Sequence, residues 1–253
     1  MDTPLRRPAP ALLLLEGRAL LELAALLPVY PLLRRAPRGD GHPVLVLPGF
    51  MASDTSTRAL RRFLRDKGYA AHGWRLGRNR GPSAGLIAAL VDRLTQLQER
   101  HGRQVSIIGW SLGGIYAREL ARALPERVRQ VITLASPFRD LDAVNLPRFL
   151  QRAARRRNPV GDDGAIRARL REPLSVPTTA IFSRTDGIVA GLSCRADPAP
   201  RTESLEVDSS HLGIGHHPVV LLTIAERLAQ PEGTWRPFVP PRGWRFPFVP
   251  RVV

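Results

Sequence analysis

A serine lies at the centre of a short glycine-rich motif in the middle of the chain. Residues 109–113 read Gly-Trp-Ser-Leu-Gly, which matches the pattern G-x-S-x-G, and Gly114 follows. Between a strand and a helix, the serine of this pattern occupies a strained turn that exposes its hydroxyl. Side chains on either side would clash, and the helix that begins just after the serine favours developing negative charge. The motif therefore predicts Ser111 as a nucleophile; an ordinary tight turn is the alternative.

The segments around Ser111 have the composition that this context requires. Residues 104–109 predict a buried strand, and residues 112–124 predict a helix that stops before Pro125. Because strands alternate with helices along the chain, the sequence predicts an α/β fold, with a mostly parallel sheet of about six strands and helices on both faces. The other strands are predicted at 43–48, 70–76, 127–135, 177–182 and 202–207, and the other helices at 54–67, 83–100 and 219–228.

Residues 43–230 resemble the α/β-hydrolase fold, and in detail they resemble bacterial esterases and lipases. Three elements match in order: the Pro-Gly-Phe turn at 48–50, the serine motif, and an aspartate and a histidine late in the chain. The turn has Pro-Gly where the family usually has His-Gly, and no antiparallel strands are visible before residue 43. The resemblance implies a compact, lipase-like form of the fold, whose triad runs serine, acid, histidine along the chain.

The resemblance implies an acid just after the strand predicted at 177–182. Asp186, directly before Gly187, meets this demand. It would accept a hydrogen bond from the imidazole of the base, orient it and stabilise its charged form. A simple turn aspartate is the alternative role. The other candidates for the acid are Asp162, Asp163, Asp197 and Asp208.

The base is expected after the last strand and before the last helix. His211 lies there, and His216 is its rival. His217 precedes Pro218, and this pair is predicted to begin the final helix. Three further histidines lie in poor positions for a base: His42, His72 and His101.

The same resemblance implies an oxyanion hole made of two backbone N–H groups. One belongs to Leu112, directly after the nucleophile. The other is expected in the turn after the first core strand, where Phe50 is the candidate and Met51 the alternative.

Two nearby loops are predicted to be helix starts. The helix after the first core strand is expected to be capped near Ser53 or Asp54. Residues 78–83 could touch the substrate or brace the oxyanion loop, but a plain helix start is the favoured interpretation.

The composition fits one folded unit. With 253 residues and 43% hydrophobic content, the chain can bury a sizeable core, and a single domain over residues 1–253 is predicted. Cys194 is the only cysteine, so no intramolecular disulfide can form; this fits a reducing compartment, and a cytoplasmic location is expected. The thiol is predicted to be buried and inert.

The chain is strongly basic, with a formal net charge of +16 and a pI of about 11.6. Nearly all of the basic residues are arginines, and Lys67 is the only lysine. A GC-rich coding bias is favoured over a basic surface for nucleic acid or anionic lipid. Since no nucleic-acid motif accompanies the charge, no nucleic-acid partner is predicted.

Residues 1–40 are predicted to form an N-terminal helical segment. The stretch from 11 to 27 is very apolar, but Glu16, Arg18 and Glu22 interrupt it. Such interruptions disfavour a secretory signal and a transmembrane helix. A helix packed on the body is favoured, and a helix that lies peripherally on a membrane surface is the main alternative.

Two further segments depart from the strand–helix alternation. Residues 138–175 are polar and basic and are predicted to form a small helical cap, with a solvated surface excursion as the alternative. Residues 234–253 are rich in proline and aromatic residues and are predicted to pack against the body as an extended tail.

The function expected from these features is carboxylic ester hydrolysis through an acyl-enzyme, on a small-molecule or lipid ester. No cofactor and no metal are expected, because no dinucleotide fingerprint, phosphate loop or metal-ligand spacing is present. Two alternatives stay open: an acyltransferase with the same triad, and a non-catalytic binding protein of the same fold.

Overall fold

A seven-stranded sheet forms the centre of the protein. The computed structural model describes residues 5–145, 164–240 and 250–253. The strands lie in the order β2-β1-β3-β4-β5-β6-β7; the first six of these pair in parallel, and β7 pairs antiparallel with β6. Their bounds are β1 Pro43–Leu47, β2 Ala70–Gly73, β3 Val105–Trp110, β4 Val128–Leu134, β5 Thr178–Phe182, β6 Thr202–Glu206 and β7 Arg251–Val252.

Helices cover both faces of this sheet, and the predicted α/β architecture is confirmed. The strand that had not been predicted is β7, which lies in the tail. A two-residue strand has no periodicity that a sequence pattern could reveal. The helices are α1 Pro10–Leu14, α2 Ala19–Ala24, α3 Leu26–Leu33, α4 Arg58–Asp66, α5 Leu86–His101, α6 Leu112–Ala123, α7 Gly164–Arg171 and α8 Pro218–Leu228.

The core is divided by the sheet into two layers. In β1, Val44 and Val46 face the layer formed with α3, α4 and α8, whereas Leu45 and Leu47 face the layer formed with α5 and α6. All four of these side chains are fully buried. Burial on both faces is the reason that the strand is an unbroken apolar run instead of an alternating one.

The N-terminal segment is helical, but it is not the single helix predicted for residues 11–27. A 3₁₀ turn at Leu15–Arg18 separates α1 from α2, and α3 continues to Leu33 with Pro31 inside it. Gly17 lies in the 3₁₀ turn, where glycine weakens a continuous helix, whereas Pro31 is accommodated inside α3. Within the described ranges, no helix has both the length and the apolar character needed to cross a bilayer.

The start of α4 corrects the predicted cap. Thr57 occupies the N-cap position, and no side chain caps the helix there. The Asp54 carboxylate instead accepts hydrogen bonds from the N–H groups of Trp74 and Arg75, at 3.0 and 3.1 Å. Asp54 therefore ties the turn before α4 to the end of β2, a pairing that a local capping rule does not consider.

The insertion and the tail are described in part. Residues 146–163 of the predicted cap and residues 241–249 of the tail lie outside the described residues. In the described part of the insertion, α7 is attached to α6, where the Arg118 guanidinium donates hydrogen bonds to the carbonyls of Leu170 and Glu172. In the tail, Phe238 is buried and its N–H donates to the Glu203 carboxylate at 2.7 Å.

Candidate active site

Ser111 lies at the junction of β3 and α6 in a backbone conformation that non-glycine residues rarely adopt. Its φ is 53° and its ψ is −122°, and its N–H donates a 2.7 Å hydrogen bond to the carbonyl of Leu134 in β4. A Cβ on Gly109 would collide with the backbone of Gly113, and a Cβ on Gly113 would collide with the Leu47 carbonyl. The flanking glycines are therefore required by close backbone packing around a strained residue.

His211 and Asp186 form a buried pair. The Nδ1 atom of His211 lies 2.7 Å from Oδ2 of Asp186, and both residues are at most 5% exposed. The other carboxylate oxygen, Oδ1, accepts the N–H groups of Ile188 at 2.8 Å and Val189 at 2.7 Å. With both oxygens engaged, the carboxylate holds one orientation. The Nδ1–H points at the aspartate, so Nε2 is the nitrogen left to exchange a proton.

Two carboxylates control the charge of the imidazole. Burial by itself would lower the pKa of His211, but the charge and hydrogen bond of Asp186 and the charge of Glu16 outweigh it, so the pKa is raised above its ordinary value. A raised pKa makes the neutral imidazole a stronger proton acceptor. It also means that the basic form is lost at a higher pH than for an isolated histidine.

Ser111 and His211 line one cavity of about 1030 Å³. That volume lies at the upper end of the range of about 300–1,000 Å³ found for small-molecule sites. Within the described ranges, the Ser111 hydroxyl has no hydrogen-bond partner, so it is available to a ligand. Hydrogen bonds between a nucleophile and its base are often long before substrate binds and shorten in the complex. Much of the lining is apolar and includes Leu23, Phe50, Ile115, Val144, Val189 and Leu212.

The loop after β1 lies directly beside the serine. A Cβ on Gly49 would lie 3.2 Å from Cβ of Ser111. Of the two predicted donors in this loop, Met51 is already engaged, because its N–H donates to the Asn79 carbonyl at 2.6 Å. In the part of the chain that the structure describes, the N–H groups of Phe50 and Leu112 have no protein acceptor. These two N–H groups could donate hydrogen bonds to the oxygen of a bound carbonyl as it becomes negative.

Asn79 holds this loop in place. It is 1% exposed, and each of its four polar atoms makes a hydrogen bond. Its backbone C=O and N–H pair with Met51 and Ala52, its Nδ2 donates to the Pro48 carbonyl at 2.9 Å, and its Oδ1 accepts from Gly81 at 3.2 Å. The loop that follows β2 thus braces the loop after β1, so it is more than the plain helix start that was favoured from the sequence.

The N-terminal segment supplies a contact that sequence reasoning missed. Glu16 is 5% exposed, and its carboxylate accepts three backbone N–H groups. Oε1 lies 2.8 Å from the nitrogen of Gly187 and 2.9 Å from that of His211, and Oε2 lies 2.9 Å from that of Leu212. One side chain therefore joins the loop of the acid to the loop of the histidine.

Two more charges of this segment extend the contact. Glu22 accepts the N–H of Ser210 at 2.8 Å and its hydroxyl at 2.7 Å, and Arg18 donates to the carbonyl and hydroxyl of Thr185 at 2.9 and 2.7 Å. In the sequence, these charges stand out only as interruptions of an apolar stretch. Buried charges need partners, so their position in that stretch was the signal that they contact polar groups of the body.

His216, the alternative base, lies near the site but is not paired with Asp186. His216 also lines the cavity, but its Nε2 lies 3.0 Å from a backbone carbonyl in α2. Among the described residues, His211 is the histidine that contacts Asp186. His217 forms the N-cap of α8, with Pro218 at its first position.

The alternative acids do not contact the imidazole in the described residues. Asp197 forms an ion pair with Arg139 at 3.0 Å, and Asp208 is exposed to solvent. Asp162 and Asp163 lie outside the described residues.

The single thiol is shielded from solvent. Cys194 is 1% exposed, and its pKa is raised, first by burial and then by the negative charge of Asp186. A thiol held in its neutral form is a poor nucleophile.

Comparison with known proteins agrees with this architecture. A family model described as the alpha/beta hydrolase fold matches residues 35–206. No curated protein sequence matches the chain.

Several solved structures share the fold at low sequence identity. A lipase B from Aspergillus fumigatus aligns with a TM-score of 0.60 and 15% identity over 78% of this chain; the chain spans 54% of that lipase. A structure from work on LipS and LipT, two metagenome-derived lipolytic enzymes, aligns with a TM-score of 0.56 and 22% identity over 76% of this chain and 93% of its own length. Bacillus licheniformis lipase BlEst2 aligns with a TM-score of 0.52 and 14% identity over 78% of this chain and 95% of its own length.

The family match spans the strands and helices that hold Ser111 and Asp186, and it ends just before the loop that carries His211. The predicted resemblance is thereby confirmed. The chain belongs to the α/β-hydrolase fold family.

Proposed function

We propose that the protein hydrolyses carboxylic esters through a covalent acyl-enzyme. Ser111 is the nucleophile, His211 the general base and acid, and Asp186 the residue that orients the imidazole. The observation that carries this proposal is that His211, paired with the buried Asp186, lines the same cavity as Ser111, whose backbone is strained and whose hydroxyl has no partner among the described residues. The lipases among the solved structures of this fold are consistent with it.

The first half of the reaction forms the acyl-enzyme. Nε2 of His211 takes the proton of Ser111 as Oγ attacks the carbonyl carbon of the ester. The carbonyl oxygen becomes negative and accepts hydrogen bonds from the N–H groups of Phe50 and Leu112. As the intermediate collapses, the bond to the alkoxy oxygen breaks, and the imidazolium gives its proton to the leaving alcohol.

The second half releases the acid. Water enters, His211 takes a proton from it, and the hydroxide attacks the acyl carbon. The same two N–H groups stabilise the second oxyanion, and the proton returns to Oγ of Ser111 as the acid leaves. Ser111, His211 and the two N–H groups all belong to the chain itself.

The cavity suggests the type of ester. Its apolar lining suits an acyl chain, and its volume exceeds what an acetyl group needs. We therefore expect the specificity constant to rise from acetyl to medium-chain acyl esters, because each buried methylene adds about 0.8 kcal/mol of favourable transfer free energy.

The test is hydrolysis of p-nitrophenyl esters from acetate to palmitate by the wild type, Ser111→Ala and Ser56→Ala. Ser56 lines the same cavity outside the strained turn, so it is the matched control. We expect Ser111→Ala to lose nearly all turnover and Ser56→Ala to keep it. Turnover that survives in Ser111→Ala would place the reaction at another residue.

Mass spectrometry after treatment with a fluorophosphonate separates the alternatives. A wild-type adduct on Ser111 together with ester turnover supports the proposal. An adduct with negligible hydrolysis, but with transfer of the acyl group to an added alcohol, identifies an acyltransferase. A folded protein with neither adduct nor turnover is a binding protein, and the proposal is then wrong.

A further inference from the structure

The N-terminal segment, residues 9–32, is arranged in the opposite way to an ordinary surface helix. Its charged residues are Glu16, Arg18 and Glu22, and all three turn towards the body, where they hold the loops of the site. Every exposed residue between 9 and 32 is alanine, leucine, glycine or proline. A helix on the surface of a water-exposed protein normally presents its polar face outward.

The outward face is made of large apolar side chains. We call the exposed leucines of residues 13–32 the leucine surface. Several of them are almost as open to solvent as in an unfolded chain, which is costly unless something covers them. The most exposed are Leu14 at 85%, Leu27 at 82%, Leu20 at 75% and Leu21 at 73%.

Arginines lie at both ends of the leucine surface. Arg6 and Arg7 precede it, and Arg34, Arg35 and Arg38 follow it, and all five are exposed. The only carboxylates between residues 5 and 38 are those of Glu16 and Glu22, which face inward. Among residues 5–38, the outward-facing side chains are therefore apolar or positively charged, although the exposed carboxylate of Asp66 lies beside this segment and accepts the Tyr30 hydroxyl.

The leucine surface reaches the opening of the cavity. Leu23 belongs to it and also lines the cavity, together with the exposed arginines Arg58 and Arg62 of α4. A flat apolar partner with negative charge would therefore meet the leucines, the flanking arginines and the entrance of the site at once.

We propose that the leucine surface docks the protein on an anionic phospholipid bilayer, with the cavity opening towards the membrane. Apolar side chains enter the boundary between headgroups and acyl chains, and the flanking arginines lie at the level of the anionic headgroups. The inference goes beyond ester hydrolysis and does not depend on it, because docking requires only the surface.

The test measures binding separately from chemistry. The 253-residue chain with Ser111→Ala, which cannot turn over lipid under the proposed mechanism, is sedimented with vesicles of phosphatidylcholine alone or with about one third phosphatidylglycerol. We expect binding to the anionic vesicles, weaker binding to the neutral ones, and a decrease as salt rises from about 0.05 to about 0.5 M.

Substitutions locate the surface. Leu20→Gln with Leu27→Gln should weaken binding by at least about tenfold, since two exposed leucines lose their place in the lipid. Ile87→Gln is the matched control, because Ile87 is 47% exposed on α5, away from this surface. In the background with Ser111 intact, the double variant should keep its activity on a soluble short-chain ester.

Three results would overturn the proposal. The first is a folded protein that binds neither type of vesicle. The second is equal binding by the double variant and the wild type. The third is a concentration-dependent dimer that Leu20→Gln with Leu27→Gln abolishes and vesicles do not displace, which would mean that a second copy covers the leucine surface. Loss of ester turnover alone bears on the proposed function and not on docking.

Discussion

The two halves of the site are built in different ways. The serine half consists of contiguous residues: β3, the turn at Ser111 and α6 follow one another. The close contact at Gly109 is with the start of α6, and that at Gly113 is with the adjacent strand β1. The histidine half is assembled across the chain. Glu16 holds the N–H groups of Gly187 and His211, which lie 171 and 195 residues away from it.

This difference determines what each half depends on. The geometry of Ser111 depends on the packing of the sheet, so it should persist as long as the sheet is folded. The position of the imidazole depends on an exposed N-terminal segment whose own outward face is apolar. A site assembled in this way could lose its base while keeping its nucleophile. The four substitutions below test that contrast, from the largest expected effect to the smallest.

Removing the imidazole should have the largest effect. We expect His211→Ala to lower kcat/KM by about 10⁵-fold or more, because serine and histidine act as one unit. His216→Ala is the matched control, since His216 lines the same cavity but does not contact Asp186. The measurement is kcat/KM on an ester for both variants, with circular dichroism to check that they are folded. A larger loss of kcat/KM in His216→Ala would mean that the base has been misassigned.

Neutralising the acid should have the next largest effect. We expect Asp186→Asn to lower kcat/KM by about 10³–10⁴-fold, because the tautomer and the charged imidazole lose their support. Asp186 raises the pKa of His211 and burial opposes it, so without the carboxylate the pKa should fall. The acidic limb of the pH–rate profile should therefore lie at higher pH in the wild type than for an ordinary histidine, and it should move to lower pH in the variant. A limb that stays in place would contradict the role assigned to the pair.

Gly113→Ala tests the serine half through stability. The added Cβ meets the Leu47 carbonyl, so the strand or the helix must shift, and we expect a loss of about 2–3 kcal/mol in the free energy of unfolding. Gly17→Ala is the control, because a Cβ there meets no atom within 4 Å. Denaturant titration of both variants measures the difference. Equal stabilities would show that the turn is less tightly packed than its contacts suggest.

Glu16→Gln tests the histidine half and should have the smallest effect. An amide keeps the shape of the side chain but replaces one acceptor oxygen by a donor that faces backbone N–H groups, so we expect kcat/KM to fall by about tenfold. The charge of Glu16 also raises the pKa of His211, so the acidic limb should move slightly to lower pH.

Glu22→Gln is the matched control for Glu16→Gln. Glu22 holds the neighbouring Ser210 but is not among the charges that raise the pKa of His211. We expect Glu22→Gln to loosen the loop that carries Ser210 and His211 without moving the acidic limb of the pH–rate profile. A shift of the same size in both variants would mean that Glu16 acts only by supporting the backbone.

The sequence predicted the parts of the site that depend on local order. The motif around Ser111 requires a strand before it and a helix after it, and both requirements can be judged from the adjacent residues. Asp186 and His211 were predicted as its partners because the family resemblance implies an acid after the fifth strand and a base after the sixth, where few candidates lie. The alternating pattern of strands and helices was sufficient for the sheet, apart from the two-residue strand in the tail.

The sequence did not predict the residues that act through distant contacts. Asn79 looked like part of a helix start because its role depends on the loop of another strand. The choice between Phe50 and Met51 depended on which N–H was already paired, and that is a tertiary hydrogen bond. Glu16 and Glu22 looked like defects in an apolar helix, although they are the residues that attach it.

By itself, therefore, the sequence predicted the fold family, a candidate nucleophile and the order of the candidate catalytic residues, from periodicity, from a motif with strict local geometry and from the family resemblance that these support. Only the tertiary structure decided which N–H groups are open, which loop braces them and which way the N-terminal segment faces. The physical reason is that a hydrogen bond or a buried charge is satisfied by whatever group lies next to it in space, and neighbours that are more than a hundred residues apart are set by the packing of the whole chain.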